Sequence, residues 1–295
     1  MSSAGSRRMQ GSTHTGPRTQ FMNDDAILST RNLRIRALVR LRARHRDVRQ
    51  GEIVIDGCRE LRRAVESGVE IHEAFWSASS VHGDEEKLLL ELLEQRGVPS
   101  TKVSAGVFGK IAYGERRDGV VAIGARPRRD LLALRPSACP LLGVIEGVEK
   151  PGNLGAVLRS ADGAGVEAIL AADPITDVYG PNVIRSSLGC VFGVPVVETS
   201  AMQAVEWLTA RGITVVAADP SAARAYTELD LTSPVAFVFG NEAKGLTATW
   251  KRPDVLRASV PMLGHADSLN VSITAALFFY EALRQRRAPT KDGCP

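Results

Sequence analysis

Short apolar runs and longer stretches with apolar residues three and four positions apart take turns along most of this chain. Period-two or continuous apolar runs predict strands at 52–56, 71–77, 101–103 and 120–125, and helical spacing predicts helices at 58–67 and 84–95, closed by Gly68 and Gly97. The same alternation continues with strands at 141–145, 167–171, 194–197, 214–218 and 235–239 and helices at 153–163, 182–188 and 201–211, the last ended by Gly212. A short strand at 255–261 then leads into a helix at 272–287, whose face is built from Ile273, Ala276, Leu277, Tyr280 and Leu283. Alternation of this kind implies an α/β fold with a mainly parallel sheet covered on both faces.

Between these elements, 126–140 carries Pro and charge with little periodicity and reads as a connection, so the chain divides into two units. Its 295 residues, 44% apolar and 24% charged, suffice for two modest domains. No apolar run reaches the roughly 20 residues of a membrane span. Residues 1–20, rich in Ser, Thr, Gly and Arg without an apolar core, read as a disordered tail rather than a leader. Cys58, Cys139, Cys190 and Cys294 are scattered, with no C-x-x-C pair, and read as free structural thiols.

The net charge of +4 permits a polyanionic partner without requiring one. Its distribution says more. Arg31, Arg34, Arg36, Arg40, Arg42, Arg44, Arg46 and Arg49 interleave with Leu33, Ile35, Leu38, Val39 and Leu41 against a single acid, Asp47. A helix there buries the aliphatic stripe and presents cations. A solvated basic face is one reading; the missing acids favour contact with a nucleic-acid backbone.

Three segments carry candidate chemistry: Asn153-Leu154-Gly155-Ala156-Val157-Leu158-Arg159, Phe239-Gly240-Asn241-Glu242-Ala243-Lys244-Gly245-Leu246, and Val260-Pro261-Met262-Leu263-Gly264-His265-Ala266-Asp267-Ser268-Leu269-Asn270-Val271-Ser272. The third joins a strand to a helix, where unpaired amides beside Ser and Asn side chains can hydrogen-bond a polar ligand. In this order the three resemble the signatures N-x-G-x-x-x-R, F-G-x-E-x-x-G-L and I/V-P-M-x-G-x-x-x-S-L-N-V-S of the SpoU/TrmH family of RNA 2'-O-ribose methyltransferases, which use S-adenosylmethionine (AdoMet). The preceding unit is similar to the family's L30e-like RNA-binding module, with Gly51-Glu52-Ile53-Val54-Ile55-Asp56-Gly57 near that module's G-x-F-L-V-E-G opening.

Composition and the resemblance together divide the chain into a disordered tail at 1–22, an L30e-like domain at 23–125, a linker at 126–138, a catalytic domain at 139–287, for which the resemblance implies a trefoil-knotted parallel sheet, and a tail at 288–295. The resemblance also implies AdoMet as methyl donor without a metal, an RNA partner, foremost 23S rRNA, a homodimer, and a cytoplasmic location. Carried over residue by residue, AdoMet is held by Gly240, Val260 and Leu269, with Met262 beside the adenine. Arg159 is the foremost catalytic residue, supported by Asn153, Glu242, Ser268 and Asn270. Arg34, Arg36, Arg40, Arg42, Arg44 and Arg46 would contact RNA. An arginine is a poor general base but clamps a phosphate well. His265 titrates better, yet it occupies a variable signature position and also reads as a solvent-facing loop residue.

Two other functions compete. One is an RNA-binding protein without turnover, which the intact signatures disfavour. The other is a nicotinamide-dependent oxidoreductase, which lacks a G-x-G-x-x-G after a strand. Within the family, similarity extends to self-protecting methyltransferases of avilamycin- or thiostrepton-resistance type, beside housekeeping rRNA and tRNA enzymes.

Overall fold

The computed structural model describes residues 22–43, 51–79, 81, 83–113 and 119–287. Except for Met22, both expected tails lie outside the described residues, as do Arg44, Arg46, Asp47 and Arg49.

The first unit is a five-stranded sheet of β1 (Met22–Ile27), β2 (Glu52–Asp56), β3 (Ile71–Trp76), β4 (Ser100–Val103) and β5 (Val120–Ala125) in the order β1-β4-β3-β5-β2. β1, β4 and β3 run parallel, and β5 runs against both β3 and β2. Its helices are α1 (Leu33–Ala43), α2 (Cys58–Glu66), α3 (Asp84–Gln95) and α4 (Ala105–Ile111). β1 and α4 were not anticipated. Met-Asn-Asp-Asp-Ala-Ile has no alternation and pairs because β4 offers it a parallel edge. α4 contains two glycines, a poor helix composition. It is held by Ser104, whose hydroxyl accepts the Val107 N–H, and by burial of Val107, Phe108 and Ile111.

The second unit has six strands: β6 (Leu141–Glu146), β7 (Ala168–Ala172), β8 (Val196–Thr199), β9 (Thr214–Ala218), β10 (Val235–Phe239) and β11 (Leu256–Ala258). All pair in parallel, in the order β11-β9-β10-β6-β7-β8. The expected parallel sheet is thus present. Its helices are α5 (Pro151–Ala164), α6 (Pro181–Ser186), α7 (Cys190–Gly193), α8 (Ala201–Thr209) and α9 (Val271–Arg287). Most bounds shift by one or two residues, and two regions differ more. The helix expected at 182–188 ends at Ser186, because Leu188 and Gly189 adopt left-handed φ values of 53° and 81°, and α7, which was not anticipated, starts beyond them. The strand expected at 255–261 shortens to three residues.

Side-chain alternation divides the sheet's two faces. Leu141, Ile145, Phe237 and Phe239 join one core cluster with Phe278 and Phe279 of α9, whereas Leu142, Val144, Ala236 and Val238 join another with Trp207 and Leu208 of α8. Gly143 is needed here: a Cβ would lie 2.5 Å from Ile169 Cδ1 and 2.9 Å from Phe279 Cζ. The sheet grows outward from β6 to β8, then restarts on the far side with β9; β10 enters between β9 and β6, and β11 adds outside β9. Strand order therefore reverses beside β6, where open α/β sheets form ligand crevices at their carboxyl edge.

The units share an apolar seam in which α2 packs against α7. Arg63 Nη1 donates to the Leu188 carbonyl at 2.9 Å. Arg126, first residue of the segment read as a connection, is buried; it pairs with Asp177 at 2.6 Å and Glu198 at 3.1 Å and stacks over Tyr179. Cys58 and Cys190 are free thiols, and burial pushes Cys58 up to about 12. Cys139, expected to be free, is instead disulfide-bonded. Among the described residues no helix is long and apolar enough to cross a membrane.

Candidate active site

The carboxyl ends of β9, β10 and β11, with the loop leading into α9, enclose a cleft of about 640 Å³. That size suits a nucleoside-sized ligand. Its wall is apolar where Phe239, Leu246, Trp250, Val260, Met262 and Leu269 meet. Its rim is charged, with Lys150, Lys244, Lys251 and Arg257 against Asp219 and Glu242.

The loop after β10 is built for close approach. A Cβ on Gly240 would lie 2.6 Å from the Gly245 carbonyl carbon and 2.7 Å from Leu246 N, both backbone atoms. Asn241, buried, fastens the loop from inside. Its Nδ2 donates to Gly147 O at 2.7 Å and Glu149 Oε1 at 3.0 Å, and its Oδ1 accepts the N–H groups of Ala243 and Lys244. At the loop's far end the buried Glu146 carboxylate accepts Thr247 N–H at 2.9 Å and Thr247 Oγ1–H at 2.6 Å. Buried carboxylates need such donors.

Three of the five expected catalytic side chains meet at the mouth of the cleft. Asn270 Nδ2 donates to Asn153 Oδ1 at 3.2 Å, and Asn153 Nδ2 donates to Glu242 Oε1 at 2.5 Å, so one chain of hydrogen bonds links all three signatures. Asn270 also starts α9, its Oδ1 accepting Ser272 N–H at 2.9 Å and its carbonyl accepting the N–H groups of Ile273 and Thr274. Asn153 lies in the first turn of α5, where Pro151 suits the helix start. Ser268 lines the cleft, exposed, with no hydrogen bond among the described residues. Of the residues expected to hold AdoMet, Gly240, Val260, Met262 and Leu269 all line it.

Arg159 is apart from this group. Six residues beyond Asn153, it is turned about 240° around the helix. It is exposed, does not line the cleft, and its guanidinium has no hydrogen bond or ion pair among the described residues. His265 is exposed and also outside the lining.

Several residues that shape the cleft were not anticipated. Asn241 fills a variable position of its signature, and Glu146 lies outside all three, recognisable only as an acid ending an apolar strand. Asp219 and Arg257, at the ends of β9 and β11, face each other across the rim at 3.4 Å. Burial works to raise the Asp219 carboxyl, but hydrogen bonds from Ser221 and the charge of Arg257 outweigh it and hold the group below its ordinary value. Among the described residues no three His, Cys, Asp or Glu side chains are grouped to hold a metal.

The basic helix α1 is divided in its use of charge. Arg34 is paired with Glu73, donates to Thr101 Oγ1 at 2.7 Å and lies over the Phe75 ring. Arg42 is paired with Asp56 at 3.0 Å. Arg36 and Arg40 are exposed, and their guanidiniums have no partner among the described residues. Arg44 and Arg46 lie outside the described residues.

Comparison with known proteins gives these features a context. Residues 140–280 match the SpoU rRNA Methylase family, and residues 32–122 match an MRM3-like substrate binding domain. The chain is 31% identical to the 23S rRNA (uridine(2479)-2'-O)-methyltransferase of Streptomyces viridochromogenes, over 96% of each chain. It belongs to the SpoU rRNA methylase family. A second relative, the 23S rRNA (guanosine(2553)-2'-O)-methyltransferase RlmP of Bacillus subtilis, is 26% identical over 86% of this chain and 97% of its own. Among solved structures, an RNA 2'-O ribose methyltransferase is 40% identical, with a TM-score of 0.78 over 89% of this chain and 99% of that one. The SpoU methyltransferase AviRb of Streptomyces viridochromogenes in complex with AdoMet is 29% identical, with a TM-score of 0.77 over 86% of this chain and 99% of that one.

Proposed function

We propose that this SpoU methylase transfers a methyl group from AdoMet to a ribose 2'-hydroxyl of rRNA, and that its target lies in 23S rRNA. The observation that carries the reading is the Asn270–Asn153–Glu242 chain of hydrogen bonds at the mouth of a nucleoside-sized cleft. Gly240, free of a Cβ, lets the loop close against its own far limb at Gly245 and Leu246, and both limbs line the cleft that fits AdoMet. Val260 and Leu269 offer backbone groups and Met262 an apolar side chain for its adenine. When bound, AdoMet supplies an electrophilic methyl on a sulfonium.

The chain's own residues align the acceptor. Glu242, oriented by Asn153, stands at the rim with Ser268 to position the ribose. Arg159 clamps the target phosphate through paired hydrogen bonds. It faces away from the cleft of its own chain, which supports a homodimer in which each copy presents Arg159 to the other's substrate. Tyr280 and Ile273, exposed apolar residues of α9, suit that contact.

The unit at 23–125 acts as an L30e-like RNA-binding domain, 126–138 as the connection and 139–287 as the catalytic domain. Arg36 and Arg40 contribute more to RNA binding than Arg34 and Arg42, which already have acidic partners. The catalytic domain closes in the family's trefoil knot. Two observations support it: β10 enters between strands already laid down, and its following loop is tied to the end of β6 through Glu146 and Asn241. Similarity over nearly the whole chain to a 23S rRNA 2'-O-methyltransferase supports the 23S target, and the family resemblance to self-protecting members is the ground for a role against a ribosome-targeting antibiotic.

Primer extension at low dNTP on 23S rRNA incubated with the protein and AdoMet tests the reading. A new stop that disappears with Arg159→Ala is expected; an unchanged stop pattern with wild type refutes it.

A further inference from the structure

A hollow of about 10 Å³, room for one water, lies at the seam between the two sheets, lined by Asp56, Tyr113, Pro181 and Arg185, and shares no lining residue with the donor cleft; a larger ligand can meet its Arg185 only from outside. The Tyr113 ring has two guanidiniums near it, Arg42 and Arg185, each 5.7 Å from its centroid. Its hydroxyl donates to Asn182 Oδ1 at 2.5 Å, so the ring spans from the first unit to α6 of the second. Asp56 is the one carboxylate among the lining residues, and it is already engaged: it accepts from Arg42 at 3.0 Å and from the Tyr113 N–H at 2.7 Å. Burial raises the Asp56 carboxyl despite the opposing pull of Arg42, Tyr113 and Arg185. Asp56 engages Arg42, which leaves Arg185 as the guanidinium at the Tyr113 ring without a carboxylate partner among the described residues. Arg185 is partly exposed, and its guanidinium makes no hydrogen bond or ion pair among the described residues.

Arg185, steadied over Tyr113, has unused planar donors matched to phosphate oxygens. Its position supplies the source of that phosphate. α1, with the exposed Arg36 and Arg40, packs on β2; α6 packs on β2 and on α5, whose first turn reaches the cleft through Asn153. We propose that Arg185 binds a backbone phosphate of the substrate RNA at this seam, bridging the path from α1 to the donor cleft. This rests on the reading of the protein as an RNA methylase.

Binding of in vitro transcribed 23S rRNA to the full-length protein across a salt series tests it. Arg185→Gln is expected to weaken binding about tenfold and to reduce the slope of log affinity against log salt by about 1, whereas Arg185→Lys keeps most of the slope. On wild-type protein, the RNA is expected to shield Arg185 from phenylglyoxal, read by mass spectrometry, so the result does not depend on the variants folding. An unchanged slope for folded Arg185→Gln, or equal modification with and without RNA, overturns the proposal and leaves Arg185 as a clasp between the units. Wild-type protein that shows no salt-dependent RNA binding removes the parent reading as well, and so separates the two failures.

Discussion

Replacing Gly240 with Ala tests whether the donor loop lies as close to its own backbone as the cleft requires. The new methyl would sit 2.6 Å from Gly245 C, 2.7 Å from Gly245 O and 2.7 Å from Leu246 N. Ordinary contact begins near 3.4 Å, so the opposite limb of the loop must withdraw by about 0.8 Å. It cannot do so freely, because Asn241 holds one limb to Gly147 and Glu149 and Thr247 holds the other to Glu146. Overpacking of this kind costs about 1–3 kcal/mol. If the strain is relieved by displacing the limb against which AdoMet lies, its dissociation constant rises by roughly 5- to 150-fold, at about 1.4 kcal/mol per tenfold. Isothermal calorimetry with AdoMet measures this directly, and circular dichroism checks that the variant is folded. A folded Gly240→Ala protein whose AdoMet affinity stays within about twofold of wild type would refute the reasoning, since the strain range assigned to the loop leaves no room for so small a change.

Other perturbations separate the remaining roles. Arg159→Ala is expected to lower kcat by at least about 100-fold while AdoMet affinity in calorimetry stays unchanged, because transition-state positioning is lost without touching the donor cleft. Phe279→Ala opens the space that Gly143 leaves against the sheet and should cost about 3–5 kcal/mol, read by urea denaturation. The Asp219 carboxyl lies below its ordinary 3.8 in the folded protein, so its stabilising contribution is complete above that value and is lost as pH falls through the depressed one. Asp219→Asn should therefore flatten the fall of melting temperature with acid below about pH 4, and calorimetric scans between about pH 2.5 and 5 check it.

Where hydrophobic pattern and punctuation agreed, the fold was legible. Three acids open α3 (Asp84–Gln95) and Gly97 follows it, and β5 (Val120–Ala125) is a plain apolar run, so both elements have their expected bounds. Where tertiary contacts decide, it was not. β1 owes its strand to the edge of β4, and α4 owes its helix to a cap and three buried side chains. The break between α6 and α7 depends on a left-handed Leu188, a residue whose type gives no warning of that conformation. At the site, signature spacing found the residues that line the cleft but could not show that Asn153 joins Glu242 to Asn270 while Arg159 turns away. In α1 the arginines look alike along the chain; only folding brings acids from β2 and β3 to Arg42 and Arg34.

The late entry of β10 between β9 and β6 has a consequence for biosynthesis. Until residue 235 leaves the ribosome, two neighbouring strands expose unpaired edges across an empty slot, a state open to wrong pairing. Closing that slot joins segments nearly a hundred residues apart, Leu141 to Val235, which places this protein among slow folders. Methylating capacity therefore arrives as the final event of maturation, and a nascent chain truncated before α9 has no assembled pocket with which to act prematurely on its target.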